Sequence, residues 1–205
     1  MNSIVNQKDI EKLLKADAVF TKIYDQYGPP PDWSRPQGFI TLSKIILEQQ
    51  VSLQSSNAHF NKLNSYMSAF TPEEIVKLSD NEMRHCQISK QKSTYLRELS
   101  LTIIDRKIEL DRFSGLPVDE VRQQLKCIKG IGDWTVDIYM MFCLQAKDIF
   151  PSGDVAVINT VKELTNAGSK AEIVAYVSKW KPYRSLATHF LWHYYLSKRN
   201  RSSML

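Results

Sequence analysis

Helix-start signals recur along almost the whole of this 205-residue chain, and no stretch alternates apolar and polar residues long enough to call for a sheet. Thr71-Pro72-Glu73-Glu74 sets proline at a first helical position and a glutamate three residues after the threonine, ahead of Ile75, Val76 and Leu78. Ser79-Asp80-Asn81-Glu82 and Ser169-Lys170-Ala171-Glu172 repeat that signature. After Ser89 the apolar positions Tyr95, Leu96, Leu99, Ile103 and Ile104 fall on one helical face, and the pattern gives way near residues 105–107. Phe39, Leu42, Ile45 and Ile46, followed by Val51, Leu53 and Ala58, read as two helices or as one bent around Gln49 and Gln50. Ile173, Val174, Val177 and Trp180 form a further stripe before Pro182, and Leu186, Phe190, Leu191 and Tyr194 a last one. The expected fold class is all-α.

One cluster of breakers interrupts this pattern, Gly28-Pro29-Pro30-Pro31 through to Pro36-Gln37-Gly38, which reads either as a lobe boundary or as an extended surface loop. Apolar residues make up 43% of the chain, enough for a real core in one or two lobes, which excludes a disordered chain. Lys and Arg outnumber Asp and Glu by 27 to 22, a net +5 compatible with a polyanionic partner. Cys86, Cys127 and Cys143 lack the paired spacing of a zinc or iron-sulfur site and fit a reducing compartment. His59, His85, His189 and His193 have no ligand spacing either, and each reads as a surface or satisfied core histidine. With no apolar run near the ~20 residues a membrane span needs, and no signal-like start, the expectation is a soluble intracellular protein, cytoplasmic in a prokaryote. The basic tail Ser197-Lys198-Arg199-Asn200-Arg201 reads as a solvated end.

Two features carry chemistry. In Leu125-Lys126-Cys127-Ile128-Lys129-Gly130-Ile131-Gly132-Asp133-Trp134, a glycine pair separates one apolar helix from a second that runs through Ile138, Met140 and Met141. Both glycines are expected to take positive φ and to let backbone amides at a helix start face an anion; an ordinary tight turn explains the same residues. Further on, Phe150-Pro151-Ser152-Gly153-Asp154 sets an acid after a tight turn at a helix start, where Asp154 serves either as an N-cap or as a working carboxylate.

The pairing of that hairpin with a Gly/Pro-rich turn ending in Asp154 resembles the helix-hairpin-helix/GPD superfamily of base-excision DNA glycosylases, and within it the 3-methyladenine glycosylase II type. The resemblance runs from Gly28-Pro29-Pro30 through Ile46-Leu47-Glu48-Gln49-Gln50-Val51-Ser52 and the hairpin to Asp154, then on through Trp180-Lys181-Pro182-Tyr183-Arg184-Ser185 and Leu191-Trp192-His193-Tyr194-Tyr195. It implies a two-lobed helical fold with a cleft between lobes; some relatives carry a β-rich domain in front, and none is expected here because the stretch before Gly38 is too short to hold one. The lobes would be about 1–38 plus 148–205, and about 39–147 with the hairpin at 125–141.

The resemblance further implies a monofunctional glycosylase that flips alkylated purines out of double-stranded DNA and leaves an abasic site, acting as a monomer in base excision repair. Asp154 is then the catalytic carboxylate. Trp192, Tyr139 and Trp134 are candidates for the base pocket, while core packing is the better reading of Trp180. Gly130, Gly132 and Trp134 would offer amides to a phosphate, and Gln50 would be the wedge that fills the vacated stack, or else a polar helix end. Relatives that also cleave the strand carry a lysine where this chain has Trp134. Many carry an aromatic where it has Ile138, which bears on pocket shape. No cofactor and no iron-sulfur cluster are implied, only a Na+ or K+ held by the carbonyls of Lys126, Ile128 and Ile131 when DNA is bound. Two rivals remain open at this point: a non-enzymatic DNA-binding module, and a glycosylase for oxidised, mismatched or deaminated bases.

Overall fold

The computed structural model describes residues 3–199. Helices occupy most of that span, and no strand occurs among the described residues. The basic tail includes Asn200 and Arg201, which lie outside them. Within the described part of that tail, Lys198 pairs with Glu163 and an Arg199 guanidinium donates to the Tyr195 carbonyl, so both cations have partners in the chain.

Local signals place the helix starts. The capping boxes at Ser79 and Ser169 form completely: each serine accepts the amide three residues on, and Glu82 or Glu172 returns a bond to the cap's own amide. Thr71 accepts the Glu74 amide at 3.3 Å, which makes half of such a box. Ser89, where the apolar stripe begins, caps the helix Lys90–Ile104 by accepting the Lys92 amide.

The chain divides into two compact units, residues 35–139 and residues 3–34 with 140–199. The breaker segment contains the first crossing, between Ser34 and Arg35. The second falls between Tyr139 and Met140, inside the helix Asp133–Phe142.

In the unit of residues 35–139, α3 (Phe39–Glu48) and α4 (Leu53–Tyr66) are separate helices, broken at Gln49 to Ser52. Helix α7 (Lys90–Ile104) packs on α3, on α5 (Pro72–Lys77) and on α6 (Asp80–His85). Its buried face is Ser93, Leu96, Leu99 and Ser100, whereas Ile104, expected on that face, is 38% exposed. A 3₁₀ turn at Leu110–Gly115, α8 (Val118–Lys126) and α9 (Asp133–Phe142) complete the unit. Leu42, Ile45, Ile46, Leu63, Leu96 and Leu125 are wholly buried there.

In the other unit, α1 (Gln7–Ala16), α2 (Ala18–Tyr27) and α10 (Val155–Leu164) surround α12 (Arg184–Ser197), with α11 (Lys170–Ser178) against α10. Trp180 is fully buried, edge-on to Phe20 and Tyr176, and its indole N–H donates to Asp17 at 2.8 Å, so its role is in the core. Val174, placed by its spacing on the apolar stripe of α11, is half exposed.

Candidate functional site

The hairpin joins α8 to α9, and its two glycines differ. Gly130 has φ +92°, a conformation costly for any residue with a Cβ. A Cβ there would also lie 2.1 Å from Cγ of Tyr95, whose ring covers the glycine from α7. Gly132 does not take the positive φ expected of it, and a Cβ built on it meets no heavy atom within 4 Å. Its carbonyl accepts the Val136 N–H at 3.1 Å and opens the helical ladder of α9, so the preceding amides lie at the helix's positive end. Gly130 is therefore required by the chain itself, whereas Gly132 faces open space.

Charge pairs tie the two helices of the hairpin together. Asp133, the first residue of α9, accepts from Lys126 at 2.9 Å and from Arg122 at 3.3 Å, and Arg122 also reaches the buried Asp137. The hydrogen bond from Lys126, aided by the Arg122 charge, holds the Asp133 carboxyl below the ordinary carboxylate range. Across the turn the Ile131 N–H donates to the Ile128 carbonyl at 3.1 Å.

In the same unit, the corner after α3 is held residue by residue. Lys92 donates to the Leu47 carbonyl at 2.6 Å. Glu48 meets Arg35 at 2.8 Å with both side chains 9% exposed, and burial pushes the Glu48 carboxyl up against the pull of that guanidinium. Gln49 Nε2 donates to the Gly130 carbonyl and to the Thr135 hydroxyl, each at 2.9 Å. Gln50 follows with φ +57°, exposed, and Val51 beside it is 39% exposed. A non-glycine residue in left-handed conformation next to three anchored ones is a mount for whatever its side chain does. The family resemblance singled out Gln50. It could not reveal Gln49 or Tyr95, whose partners lie 81 and about 35 positions along the chain.

In the other unit Asp154 ends the Pro151-Ser152-Gly153 turn, its amide donating to the Pro151 carbonyl at 2.9 Å. It is the N-cap of α10: Oδ1 accepts the Val157 N–H at 2.9 Å. The same oxygen accepts the Trp192 indole N–H at 3.3 Å from α12. Val155, next in the chain, is an apolar side chain 72% exposed.

The three candidate pocket aromatics are placed differently. Trp192 is 2% exposed, ringed by Trp33, Phe142 and His189. Tyr139 is fully buried in its own unit, edge-on to Phe113, with its hydroxyl accepting the Gly38 N–H at 3.0 Å. Trp134 is half-buried at the first turn of α9. Ile138, one turn on, is buried. His189 stacks on Trp33 and gives its Nδ1–H to the Ser185 carbonyl at 2.8 Å, and burial pushes its pKa down to about 4. It is a satisfied core histidine, whereas His59 has a buried Nδ1 with no hydrogen-bond partner. No group of three or more histidines, cysteines or acids suited to a metal occurs among the described residues, nor a helix long and apolar enough to cross a membrane.

The chain thus carries a glycine hairpin between two helices in one helical unit and an aspartate that caps a helix in the other. The model of the HhH-GPD superfamily base excision DNA repair proteins matches residues 43–182, and the chain belongs to that superfamily. It is 28% identical over 181 residues to DNA-3-methyladenine glycosylase 1 of Schizosaccharomyces pombe, covering 83% of this chain and 78% of that one. Against the putative DNA-3-methyladenine glycosylase YfjP of Bacillus subtilis it is 27% identical, covering 74% of this chain and 56% of that one. The structure of the Schizosaccharomyces pombe 3-methyladenine DNA glycosylase Mag1, in complex with abasic DNA, superposes with a TM-score of 0.83 and 25% identity, over 96% of this chain and 100% of that one.

Proposed function

We propose that this chain is a monofunctional DNA glycosylase, of the 3-methyladenine glycosylase II type, that releases alkylated purines such as 3-methyladenine and 7-methylguanine from double-stranded DNA. The observation that carries the reading is the Asp154 carboxylate, pinned at the start of α10 by the Val157 and Trp192 N–H groups. Two donors from different parts of the chain fix the orientation of this charge before any reaction, as electrostatic stabilisation of a transition state requires.

Rotating a nucleotide out of a duplex costs a few kcal/mol of stacking and pairing, and Gln50, exposed on its strained corner, is the proposed occupant of the gap. As the bond from C1′ to the purine nitrogen breaks, its electron pair goes to the base and cancels the positive charge that alkylation placed there. The sugar becomes oxocarbenium-like, and Asp154 stabilises it. Water then attacks C1′ and loses a proton to Asp154 or to solvent, which leaves an abasic site. Trp134, the half-buried member of the three aromatics, is the proposed stacking surface for a cationic base. As an indole it cannot form the Schiff base of a strand-cleaving relative.

The amides at Gly130, Gly132 and Trp134 would hold a phosphate. The open side of Gly132 supports this, since the missing Cβ there relieves no clash within the chain. The reaction as proposed needs no cofactor. The carbonyls of Lys126, Ile128 and Ile131 are hard oxygen donors that suit a Na+ or K+ once DNA is bound, and the Ile128 oxygen, which accepts one N–H, keeps a second lone pair.

Asp154→Asn tests the proposal cleanly because asparagine is as good an N-cap as aspartate, so the fold is kept while the charge goes. Release of bases from methylated and deaminated duplexes should fall by about 100-fold or more, with duplex binding retained. Equal release by variant and wild type would overturn the assignment. Borohydride trapping of the wild type on damaged DNA would overturn the monofunctional reading.

A further inference from the structure

We infer that Gln49 is a positioning residue that locks the Gln50 corner to the DNA-binding hairpin, so that phosphate contact and nucleotide flipping are carried by one rigid piece. The inference rests on the proposed roles of the hairpin and of Gln50. The juxtaposition behind it lies wholly within the unit of residues 35–139.

The argument begins with the Gly130 carbonyl. A backbone oxygen on the face of a hairpin that binds phosphate would repel the ligand, so the peptide must be turned so that this oxygen finds a donor elsewhere. Gln49 Nε2 is that donor at 2.9 Å, and it spends its second N–H on Thr135, in the first turn of α9. One amide group thus bridges both sides of the Gly130-Ile131-Gly132 turn. The Tyr95 ring packed over Gly130 blocks the alternative of moving the turn toward α7. On the corner itself, Lys92 and Arg35 secure the two residues before Gln49, so the left-handed Gln50 next in the chain inherits its position from the hairpin. A glutamine at the end of a helix with no such role would point its amide to water.

The test is a double-mutant cycle on the full chain, using Gln49→Met, which keeps the side-chain length and removes both donors, and Gln50→Ala. Flipping is read from 2-aminopurine fluorescence in a duplex carrying the probe beside an abasic analogue, and hairpin contact from the salt dependence of binding to undamaged duplex. If Gln49 positions Gln50, Gln50→Ala lowers flipping about tenfold in the wild-type background and less than about twofold beside Gln49→Met. Gln49→Met should also flatten the slope of log affinity against log salt by about one phosphate contact. Gln49→Glu should be worse than Gln49→Met, because it sets an acceptor against the Gly130 carbonyl. Thr135→Val, which removes one acceptor only, should show the same non-additivity in weaker form, and it serves if Gln49→Met melts prematurely. Additive losses, or an unchanged salt slope, overturn the inference while leaving the glycosylase reading intact. A wild type that binds no duplex overturns both, and a variant that loses only thermal stability makes Gln49 merely structural.

Discussion

Replacing Gly130 with alanine, and separately Gly132, distinguishes a glycine the fold needs from one it does not. At Gly130 the new Cβ falls 2.1 to 2.4 Å from three atoms at the root of the Tyr95 ring, which cannot swing away as the tip of a long side chain would. Relieving that overlap costs about 1–3 kcal/mol. Holding alanine at φ +92° adds about 1–3 kcal/mol more. The sum, about 4 kcal/mol, is a large share of a typical stability of about 5–15 kcal/mol, and in a chain of this size lowers Tm by roughly 8–16 °C. Gly132→Ala has neither burden and should cost no more than about 1 kcal/mol at that cap-like position, yet weaken binding to undamaged duplex by about tenfold if a phosphate packs against that backbone. Thermal and urea unfolding followed by circular dichroism give the stabilities, and fluorescence anisotropy with a labelled duplex gives the affinities. Tyr95→Ala beside Gly130→Ala should recover the steric part. A Gly130→Ala loss below about 1 kcal/mol, or no coupling to Tyr95 in the cycle, would refute the packing argument.

Trp192→Phe keeps an aromatic ring beside Trp33 and Phe142 but removes the N–H that reaches Asp154 at 3.3 Å. Turnover in base release should fall about tenfold, the worth of one hydrogen bond to a charged group, with KM for the duplex little changed; a loss confined to KM would assign Trp192 to binding instead. His189 makes the fold sensitive to acid. Burial holds its pKa at about 4 against the ordinary 6.5, with the Ser185 carbonyl and Asp32 opposing, so the unfolded chain takes up a proton that the folded one refuses. Its contribution is complete above pH 6.5 and is lost as pH falls toward 4, amounting to about 3 kcal/mol. Urea midpoints from pH 7.5 to 4.5 should show this loss in the wild type and much less of it in His189→Gln, and parallel curves would refute the assignment.

What sequence could show here was whatever depends on near neighbours. Thr71, Ser79 and Ser169 announce their helices because a cap and its partner lie three residues apart. The α3–α4 break was legible as a choice between two readings, which the left-handed Gln50 resolves. Face assignment was less reliable: Ile104 and Val174 sit at apolar spacing yet stay exposed, because the width of a buried stripe is set by what packs against it. The division within α9 leaves no mark in a continuous helix. Gly130 and Gly132 looked equivalent for the same reason, since the Tyr95 ring that distinguishes them comes from another helix.

Asp154 posed the sharpest ambiguity, cap or working carboxylate, and its geometry makes the two compatible. A carboxylate that caps a helix has one oxygen fixed on an amide of the first turn and its torsions spent. That immobility is also what a charge needs if it is to face a developing cation without reorganising. No pattern of residues around Asp154 could therefore separate the roles. The structure adds a donor from 38 positions away: a cap needs only its own helix, and the indole of Trp192, buried among aromatic rings and aimed at an oxygen already capping α10, is a constraint that the helix start does not require. Asp154→Ala and Asp154→Asn should accordingly part company. Both lose base release, while only alanine also loses the cap, about 1 kcal/mol of stability, so a carboxylate that served α10 alone would show a stability loss in alanine and no loss of base release in either.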